Sequence, residues 1–142
     1  MRVYWGKNMK LSNKEKEYFG PGAKFHHVGI AVKSIDKSVQ NSIKISDKTQ
    51  NVTVSLFNIH DLKIELVEPG SPTSPVSNFL KKNTGMYHMC FSVPDLNKAL
   101  KISRENGFRC IAKPVSAEAF NGNRISWLFS NIYGLIELLE RK

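Results

Sequence analysis

The residues best suited to chemistry in this sequence are two histidines inside strand-like runs. The run "FHHVGIAV" covers residues 25–32, and the run "MYHMCFSV" covers residues 86–93. Alignment of the two runs superimposes His27 on His88, and the apolar residues around them follow the same pattern. An imidazole in a buried strand costs desolvation free energy unless a partner satisfies it. The repetition therefore indicates that both histidines serve one purpose.

Two glutamates repeat in the same way. The stretch "KIELVEP" at 63–69 contains Glu65, and "LIELLER" at 135–141 contains Glu137. Successive side chains of a strand point to opposite faces, so each glutamate points away from the aliphatic residues beside it. An ionised carboxylate on an apolar strand is costly unless it is paired or bound to a cation. The glutamates thus need a partner as the histidines do.

One shared cation would satisfy all four side chains. The strand neighbours on the histidine faces are small and leave open space; they are Gly29, Ala31, Cys90 and Ser92. Imidazole and carboxylate together form a ligand set for Zn, Ni, Co, Fe or Mn, and four protein ligands suit an octahedral ion with open positions. We therefore predict a metal site formed by His27, Glu65, His88 and Glu137.

Simpler interpretations exist for each residue alone. A single strand histidine is more often a satisfied core residue, and a single glutamate in "IEL" is more often exposed to solvent. The coincidence of four duplicated positions favours the metal site. The remaining histidines are interpreted differently: His26 is expected to face away from His27, and His60 lies in a predicted turn. Both are predicted to be structural or exposed.

The elements that must position these residues also repeat. Each copy has the order strand, helix, strand, strand, and one further strand is expected in the first copy without a firm position. The predicted strands cover residues 25–32, 52–59, 63–68, 86–93, 109–113, 124–130 and 135–140. Helices are predicted from Asp36, from Pro94–Asp95 to a stop at Gly107, and around 76–82. Residues 60–61 and 131–134 are predicted hairpin connections.

The domain organisation follows from the duplication. Residues 25–142 are predicted to form a single domain of two modules, about 25–75 and 86–142. Residues 1–24 form an extension that ends in "GPG". A short helix over residues 12–18 is predicted there, with Ser12 and Glu15 as a capping box.

Composition is typical of a soluble globular protein. The chain has 142 residues, of which 41% are hydrophobic and 23% are charged. The sequence has neither an apolar run long enough for a membrane helix nor an N-terminal signal-peptide core, so a cytoplasmic location is expected. Cys90 and Cys110 are too few for a disulfide framework and are expected to be buried thiols.

The formal net charge of +9 does not by itself define a partner. The lysines of the chain are scattered singly or in pairs, which favours a solvated surface over a nucleic-acid site. The positive charge is also compatible with a substrate that carries a phosphate group. We expect a small-molecule substrate and neither nucleic acid nor membrane as a partner.

The order of these motifs resembles the vicinal oxygen chelate superfamily, which includes glyoxalase I, methylmalonyl-CoA epimerases, extradiol dioxygenases and bleomycin-resistance proteins. The strongest stretch is "KIELVEPGSPTSPVSNFLKKNTGMYHMCFSVPDL", which is similar to methylmalonyl-CoA epimerases. "GLIELLE" near the C-terminus matches the closing strand of the family. The resemblance covers about residues 25–142.

The resemblance implies an α+β fold in which tandem βαβββ modules form a curved, eight-stranded open barrel. It also implies one divalent metal ion (Ni, Co, Zn, Mn or Mg) on His27, Glu65, His88 and Glu137. Two adjacent substrate oxygens chelate the metal in this family, and the metal stabilises an enolate. A carboxylate removes the proton beside the carbonyl, with Glu137 the first candidate for this base and Glu65 the second.

The implied activity is that of a metal-dependent isomerase or lyase. A methylmalonyl-CoA epimerase-like reaction on an acyl-CoA or other thioester is the first expectation, and a lactoylglutathione lyase-like reaction is the alternative. A homodimer is also expected from the resemblance. A metal-free, bleomycin-resistance-like binding protein competes with these enzymes, but such proteins lack the four ligands. A ring-cleaving dioxygenase is third, because its two-histidine, one-carboxylate iron site fits a fourth ligand less well.

Two departures from the family pattern affect the pocket. Some epimerases carry an additional acid in the strand before the second ligand, and the nearest match here is Val54, so that base is expected to be absent. The segment after the first helix, "SVQNSIKISDKTQ", is also short. We expect this shortening to reshape one wall of the pocket.

Overall fold

The computed structural model describes residues 15–82 and 85–142 of the chain. Eight strands lie within these ranges: β1 Lys24–Ala31, β2 Ile45–Asp47, β3 Val52–Ile59, β4 Leu62–Pro69, β5 Met86–Val93, β6 Arg109–Ser116, β7 Arg124–Ser130 and β8 Gly134–Glu140. Three α-helices accompany them: α1 Ile35–Ser38, α2 Val76–Lys81 and α3 Leu96–Glu105, and a 3-10 turn covers Glu118–Phe120. None of the described helices could span a membrane.

The described strands form one curved sheet in the order β2-β3-β4-β1-β5-β8-β7-β6. The central strands β1 and β5 are antiparallel to each other. Each central strand pairs in parallel with the closing strand of its own module, β4 or β8. The two halves of the sheet are thus arranged alike about the β1–β5 pair. The predicted α+β fold of tandem βαβββ modules in an eight-stranded open barrel is confirmed.

The strand without a predicted position is β2, which has only three residues. It pairs with β3 through Ile45 and Val54, Ser46 and Thr53, and Asp47 and Val52. A strand this short has too few residues to display an alternating pattern. Its place at the edge of the sheet is therefore decided by pairing with β3.

The first helix begins at Ile35, one residue before the predicted start at Asp36. Ser34 is the N-cap, and its hydroxyl accepts a hydrogen bond from the backbone N–H of Lys37 at 3.4 Å. Asp95 caps α3 in the same manner, at 3.0 Å from the backbone N–H of Lys98. Capping oxygens satisfy donors that the first turn leaves free.

A second pair of duplicated glutamates anchors the two helices to the sheet. The Glu68 Oε2 accepts a hydrogen bond from the backbone N–H of Ile35 at 2.7 Å. The Glu140 Oε2 accepts one from the backbone N–H of Leu96 at 2.8 Å. Both donors are the first residues of their helices, where the helix dipole favours a carboxylate. The repeated motif "IEL-x-E" thus contains two glutamates, and the second has a structural role.

The core lies on both faces of the sheet. Helix α3 packs against one face in a cluster of buried side chains: Phe19, Val93, Leu96, Ala99, Phe108, Leu128, Ile136 and Leu138. Met89 and Phe91 pack against this cluster, as their shared strand face predicts. On the other face, α2 packs near Val52, Val54 and Val67. That second face carries the histidines and the glutamates.

Two predictions outside the site are wrong. Residues 15–18, the described part of the predicted N-terminal helix, are not helical, and Ser12 lies outside the described residues. Phe19 instead inserts into the core, and its ring lies 5.1 Å from that of Phe108. Cys110 is exposed on the edge strand β6, while Cys90 is buried as expected. An edge strand lacks a cover on its outer side, which explains the exposure of Cys110.

Candidate metal centre

The two predicted histidines lie side by side at the centre of the sheet. His27 is on β1 and His88 on β5, and their Nε2 atoms are 3.1 Å apart. Both side chains are buried. Adjacent antiparallel strands place these rings on one face, because both residues occupy the inward positions of the alternation. The duplication therefore brings the two histidines together at the centre of the fold.

Gly29 makes room for one of these rings. It lies opposite His88 in the β1–β5 pairing. A Cβ atom on Gly29 would lie 1.9 Å from His88 Cε1, far inside any allowed contact. The backbone of Gly29 does not have a positive φ angle, so a glycine is required here by space alone. The small residue on this face thus accommodates the His88 ring itself.

The two predicted carboxylates approach the histidines from the flanking strands. The Oε1 atom of Glu65 lies 3.6 Å from His27 Nε2 and 3.8 Å from His88 Nε2. The Oε1 atom of Glu137 lies 3.7 Å from His27 Nε2. All four residues are at most 4% exposed to solvent. The structure brings together every residue of the predicted set.

These four residues fit a divalent cation. Donors bonded at about 2.1 Å to one ion are separated by about 3 Å at right angles and about 3.5 Å in a tetrahedron. The Nε2–Nε2 separation of 3.1 Å lies in that range, and the separations of 3.6–3.8 Å between carboxylate oxygens and Nε2 atoms are slightly longer. Among the described residues, the ligand atoms of His27, Glu65 and His88 all lie within 4.8 Å of one another, and Glu137 joins them through His27.

The charges of the site also favour a cation. Burial, followed by the neighbouring charge of Glu65, raises the pKa of Glu137 well above its ordinary value. Its Oε1 atom has no hydrogen-bond partner within the described part of the chain. Burial, followed by the charge of His27, lowers the pKa of His88 well below its ordinary value. Neutral imidazoles and buried carboxylates are the forms that a metal ion binds.

The prediction that His26 faces away from His27 is wrong. Their Nδ1 atoms are 2.8 Å apart, at hydrogen-bond distance. The β1–β5 register shifts between Phe25 and His27, which leaves His26 in a β-bulge. The bulge breaks the alternation on which the prediction relied. His60, by contrast, is exposed in the β3–β4 hairpin as predicted, with a φ of 51°.

Cys90 lies close enough to His26 and His27 to form a second group of ligand-type atoms. Burial, and then the charge of Glu137, raises the pKa of the Cys90 thiol well above its ordinary value. A protonated thiol is a poor metal ligand. The group of histidines and glutamates therefore fits a cation better than the group that contains Cys90.

A cavity of about 260 Å³ opens beside the carboxylates of Glu65 and Glu137. Most of its lining side chains are apolar or aromatic: Val52, Val54, Val67, Val76, Phe79, Tyr87, Ile111, Phe120, Trp127 and Leu135. Such walls exclude water and strengthen electrostatic interactions inside the cavity. A substrate bound there would lie against the predicted metal ligands.

The sequence analysis missed one acidic residue of the cavity. Asp47 lies on the edge strand β2, is buried and lines the cavity. The position that corresponds to the additional acid of the family is Val54 on β3, whereas this carboxylate is on β2, a strand that has no sequence signal of its own. The burial of Asp47 in the cavity follows only from the fold.

Asp47 belongs to a hydrogen-bonded set that joins the two modules. Its Oδ2 atom accepts hydrogen bonds from Gln50 Nε2 at 3.2 Å and from the backbone N–H of Glu118 at 3.1 Å. Trp127 Nε1 donates to Gln50 Oε1 at 3.1 Å. We call Asp47, Gln50 and Trp127 the clasp. The Trp127 ring also meets the His88 ring edge-on, with centroids 4.9 Å apart.

The fold and the site together define a class: a duplicated βαβββ half-barrel with buried histidines and carboxylates inside. The family model described as "Glyoxalase/Bleomycin resistance protein/Dioxygenase superfamily" matches residues 26–127. This match covers more than half of the chain. The protein belongs to the glyoxalase/bleomycin resistance protein/dioxygenase superfamily.

Within this superfamily, similar proteins include methylmalonyl-CoA epimerases. The mitochondrial methylmalonyl-CoA epimerase of Dictyostelium discoideum is 29% identical over 131 residues, which cover 84% of this chain and 78% of that protein. The crystal structure of the methylmalonyl-CoA epimerase from Mycobacterium tuberculosis matches this fold with a TM-score of 0.68 at 24% identity. The match covers 83% of this chain and 87% of that one.

A second similar structure contains a ligand. The Streptomyces coelicolor methylmalonyl-CoA epimerase, in a variant form, is in complex with 2-nitronate-propionyl-CoA. Its TM-score is 0.69 at 23% identity, and the match covers 82% of this chain and 93% of that one. At this identity the likeness concerns the fold alone.

Proposed function

We propose that this protein is a metal-dependent epimerase of acyl-CoA thioesters of the methylmalonyl-CoA type. The observation that carries the proposal is the buried group of His27, Glu65, His88 and Glu137 beside an apolar cavity. Support also comes from the relative of 29% identity that is named a methylmalonyl-CoA epimerase. The cationic character of the chain, with a net charge of +9, suits an anionic CoA ester.

The four ligands would hold one divalent cation, of which Ni, Co, Zn, Mn and Mg are the candidates. Such a cation supplies Lewis acidity that stabilises the negative charge developing on a thioester oxygen when the neighbouring proton is removed. Without a cation, two carboxylates would share a buried space with no compensating charge, which is costly. The burial of both glutamates thus supports the metal requirement.

Epimerisation requires that a proton leave one face of the α-carbon and return to the other face. We assign the first transfer to Glu137, whose Oε1 atom has no hydrogen-bond partner in the described residues and whose side chain lines the cavity. Glu65 remains the second candidate for this base. Asp47 lines the same cavity from the other module and is a candidate for the opposite face.

The cavity walls would position the acyl group. Phe79 on α2, in the segment between the two modules, and Trp127 on β7 of the second module both line the cavity. Their apolar surfaces favour a short acyl chain and keep water from the α-carbon. Exclusion of water would protect the deprotonated α-carbon until the acid on the opposite face delivers its proton, and that acid exchanges its proton with solvent between turnovers.

Metal analysis and isotope exchange test the proposal together. The wild-type protein, His88→Ala and the matched control His60→Ala, which alters an exposed turn histidine, are purified and their metal content is measured. We expect about one divalent ion per chain in the wild type and the control, and a loss of at least tenfold in affinity for His88→Ala. If wild type and His88→Ala hold equally little metal, a metal-free binding protein replaces this proposal.

Solvent deuterium exchange then identifies the reaction. We expect deuterium at the α-carbon of methylmalonyl-CoA with the wild-type protein, and a large loss of exchange in Glu137→Gln. Conversion of the hemithioacetal of methylglyoxal and glutathione, with no exchange into any thioester, would favour the lactoylglutathione lyase alternative. Metal binding with neither reaction would contradict the epimerase assignment and leave the family unchanged.

Two further expectations are proposals of the same kind. We propose a cytoplasmic location, since the free cysteines Cys90 and Cys110 are compatible with a reducing compartment. We also propose a homodimer, which sedimentation equilibrium would measure directly.

A further inference from the structure

His26 and His27 are consecutive residues whose side chains meet. Their Nδ1 atoms are 2.8 Å apart, and their ring planes cross at 75°. Consecutive strand residues normally point to opposite faces. The register shift between Phe25 and His27 places an extra residue in β1, and a bulge of this kind re-aims a side chain. The contact is therefore a product of the local backbone and not of the strand pattern.

Both rings are held by a third aromatic side chain. The His27 ring stacks on Phe120, with centroids 5.7 Å apart and an interplanar angle of 20°. The His26 ring meets the same Phe120 edge-on at 5.7 Å. Phe120 is buried, and it belongs to the 3-10 turn of the second module. Packing from the other half of the fold thus fixes the orientation of the pair.

The contact has a consequence for the tautomer of His27. A hydrogen bond between two ring nitrogens contains one hydrogen, so one Nδ1 donates and the other accepts. The Nε2 atom of His27 faces His88, Glu65 and Glu137. For that atom to bind a cation, it must carry the lone pair, and the proton of the neutral ring must be on Nδ1. His26 Nδ1 is then the acceptor, and the proton of His26 is on Nε2.

We propose that His26 is a positioning residue that holds His27 in the Nδ1–H tautomer and so keeps its Nε2 lone pair available to a cation. This inference rests on the proposed metal site. Without the acceptor, the His27 proton could move to Nε2 and bond to Glu65 or Glu137, which would occupy the space of the cation. His26 acts through His27 and does not itself contact the ligand space.

The second module lacks an equivalent. Tyr87 precedes His88, and the Nδ1 atom of His88 has no hydrogen-bond partner among the residues described. His88 is instead placed by the space above Gly29 and by the edge-on contact with Trp127. The two histidines of the duplicated site are thus oriented by different means, and only His27 has a ring nitrogen of another histidine beside its Nδ1 atom.

Two substitutions separate the hydrogen bond from packing. His26→Asn retains a side-chain acceptor at a similar distance from the backbone, whereas His26→Leu retains bulk without an acceptor. Nitrogen-15 NMR of the metal-free protein gives the tautomer of His27 directly. We expect Nδ1–H in the wild type and in His26→Asn, and a shift of the population toward Nε2–H in His26→Leu.

Chelator competition with Zn²⁺, Co²⁺ and Ni²⁺ provides a second measurement. We expect His26→Leu to weaken binding by about 10–100-fold, as loss of an outer hydrogen bond does at other metal sites. His26→Asn should stay close to wild type, and His60→Leu serves as the control. Circular dichroism before the titration confirms that each variant is folded.

The outcomes distinguish this inference from the proposed function. If His26→Leu keeps the Nδ1–H tautomer, or if both variants at this position lose affinity equally, the positioning role is wrong and His26 acts by packing. If no protein binds metal at all, the proposed function fails. The tautomer measured in the metal-free proteins still decides the role of His26 in that case.

Discussion

Gly29 lies opposite His88 in the central strand pair, and a single methyl group on Gly29 would come within 1.9 Å of the imidazole ring. The ring of a proposed ligand thus occupies the space that a side chain of β1 would otherwise fill. Because interiors are close-packed, neither strand can move aside without disturbing the rest of the sheet. The identity of residue 29 and the position of a ligand are therefore linked.

The first prediction concerns this contact. Gly29→Ala forces the His88 ring out of its place, and we expect at least a tenfold loss of metal affinity together with about 1–3 kcal/mol of stability from overpacking. Gly85→Ala is the matched control, because a Cβ there has no neighbour within 4 Å. Metal titration and denaturant unfolding measure the two effects. Normal metal affinity in Gly29→Ala would show that His88 is dispensable as a ligand.

The second prediction concerns the buried carboxylates. Glu137→Gln removes one of two carboxylates that lie close to His27, so the metal-free protein should become more stable by about 1–3 kcal/mol. The same variant should lose the stabilisation that excess metal gives the wild type, which is about 2.7 kcal/mol at one hundred times the dissociation constant. Thermal unfolding with and without a chelator measures both. A variant less stable than wild type in the absence of metal would contradict the argument.

The third prediction concerns pH and the glutamate that anchors α3. The Arg124 side chain, and then the backbone N–H of Leu96, lower the pKa of Glu140 below its ordinary value of 4.5. A lowered pKa in the folded state contributes stability above pH 4.5, and the contribution disappears as the pH falls through the lowered pKa. Glu140→Gln should therefore cost about 1 kcal/mol at pH 7 and progressively less below pH 4.5.

Urea unfolding of Glu140→Gln at several pH values measures this dependence. Glu105→Gln, at an exposed position on the same helix, is the control and should change stability by less than about 0.5 kcal/mol. A cost that stays constant down to pH 2 would mean that the charge of Glu140 is not involved.

The fourth prediction concerns the clasp. Trp127→Phe keeps an aromatic ring beside His88 but removes the Nε1 donor to Gln50. We expect a loss of about 1 kcal/mol in stability, because Gln50 Oε1 loses its partner. Gln50→Ala should have a similar cost, and the double variant should lose less than the sum. Strictly additive losses in a double-mutant cycle would show that this hydrogen bond does not couple the two modules.

The duplication was the most informative feature of the sequence. It correctly predicted the tandem modules, and the structure places His27 beside His88 because equivalent positions of two like modules meet at the β1–β5 pair. Duplication does not assign a role, however. Glu65 and Glu68 repeat equally well as Glu137 and Glu140, yet Glu68 and Glu140 bind helix N–H groups.

The sequence interpretations of His26, Cys110 and the acid of the cavity differ from the structure for one physical cause. All three interpretations rest on local pattern. A bulge re-aimed His26, a three-residue edge strand carried Asp47 into the cavity, and the outer edge of the sheet exposed Cys110. Each outcome depends on which strand lies beside which, and a local pattern does not contain that information.

The sequence by itself determined seven of the eight described strands and their apolar faces, and it indicated the four residues of the candidate site, since period-two alternation and internal repetition are properties of the chain alone. Only the tertiary structure decided that His26 contacts His27, that Gly29 clears space for His88 and that Asp47 reaches the cavity. Those relationships join residues through strand pairing and packing between modules, where contacts across the sheet override the local pattern.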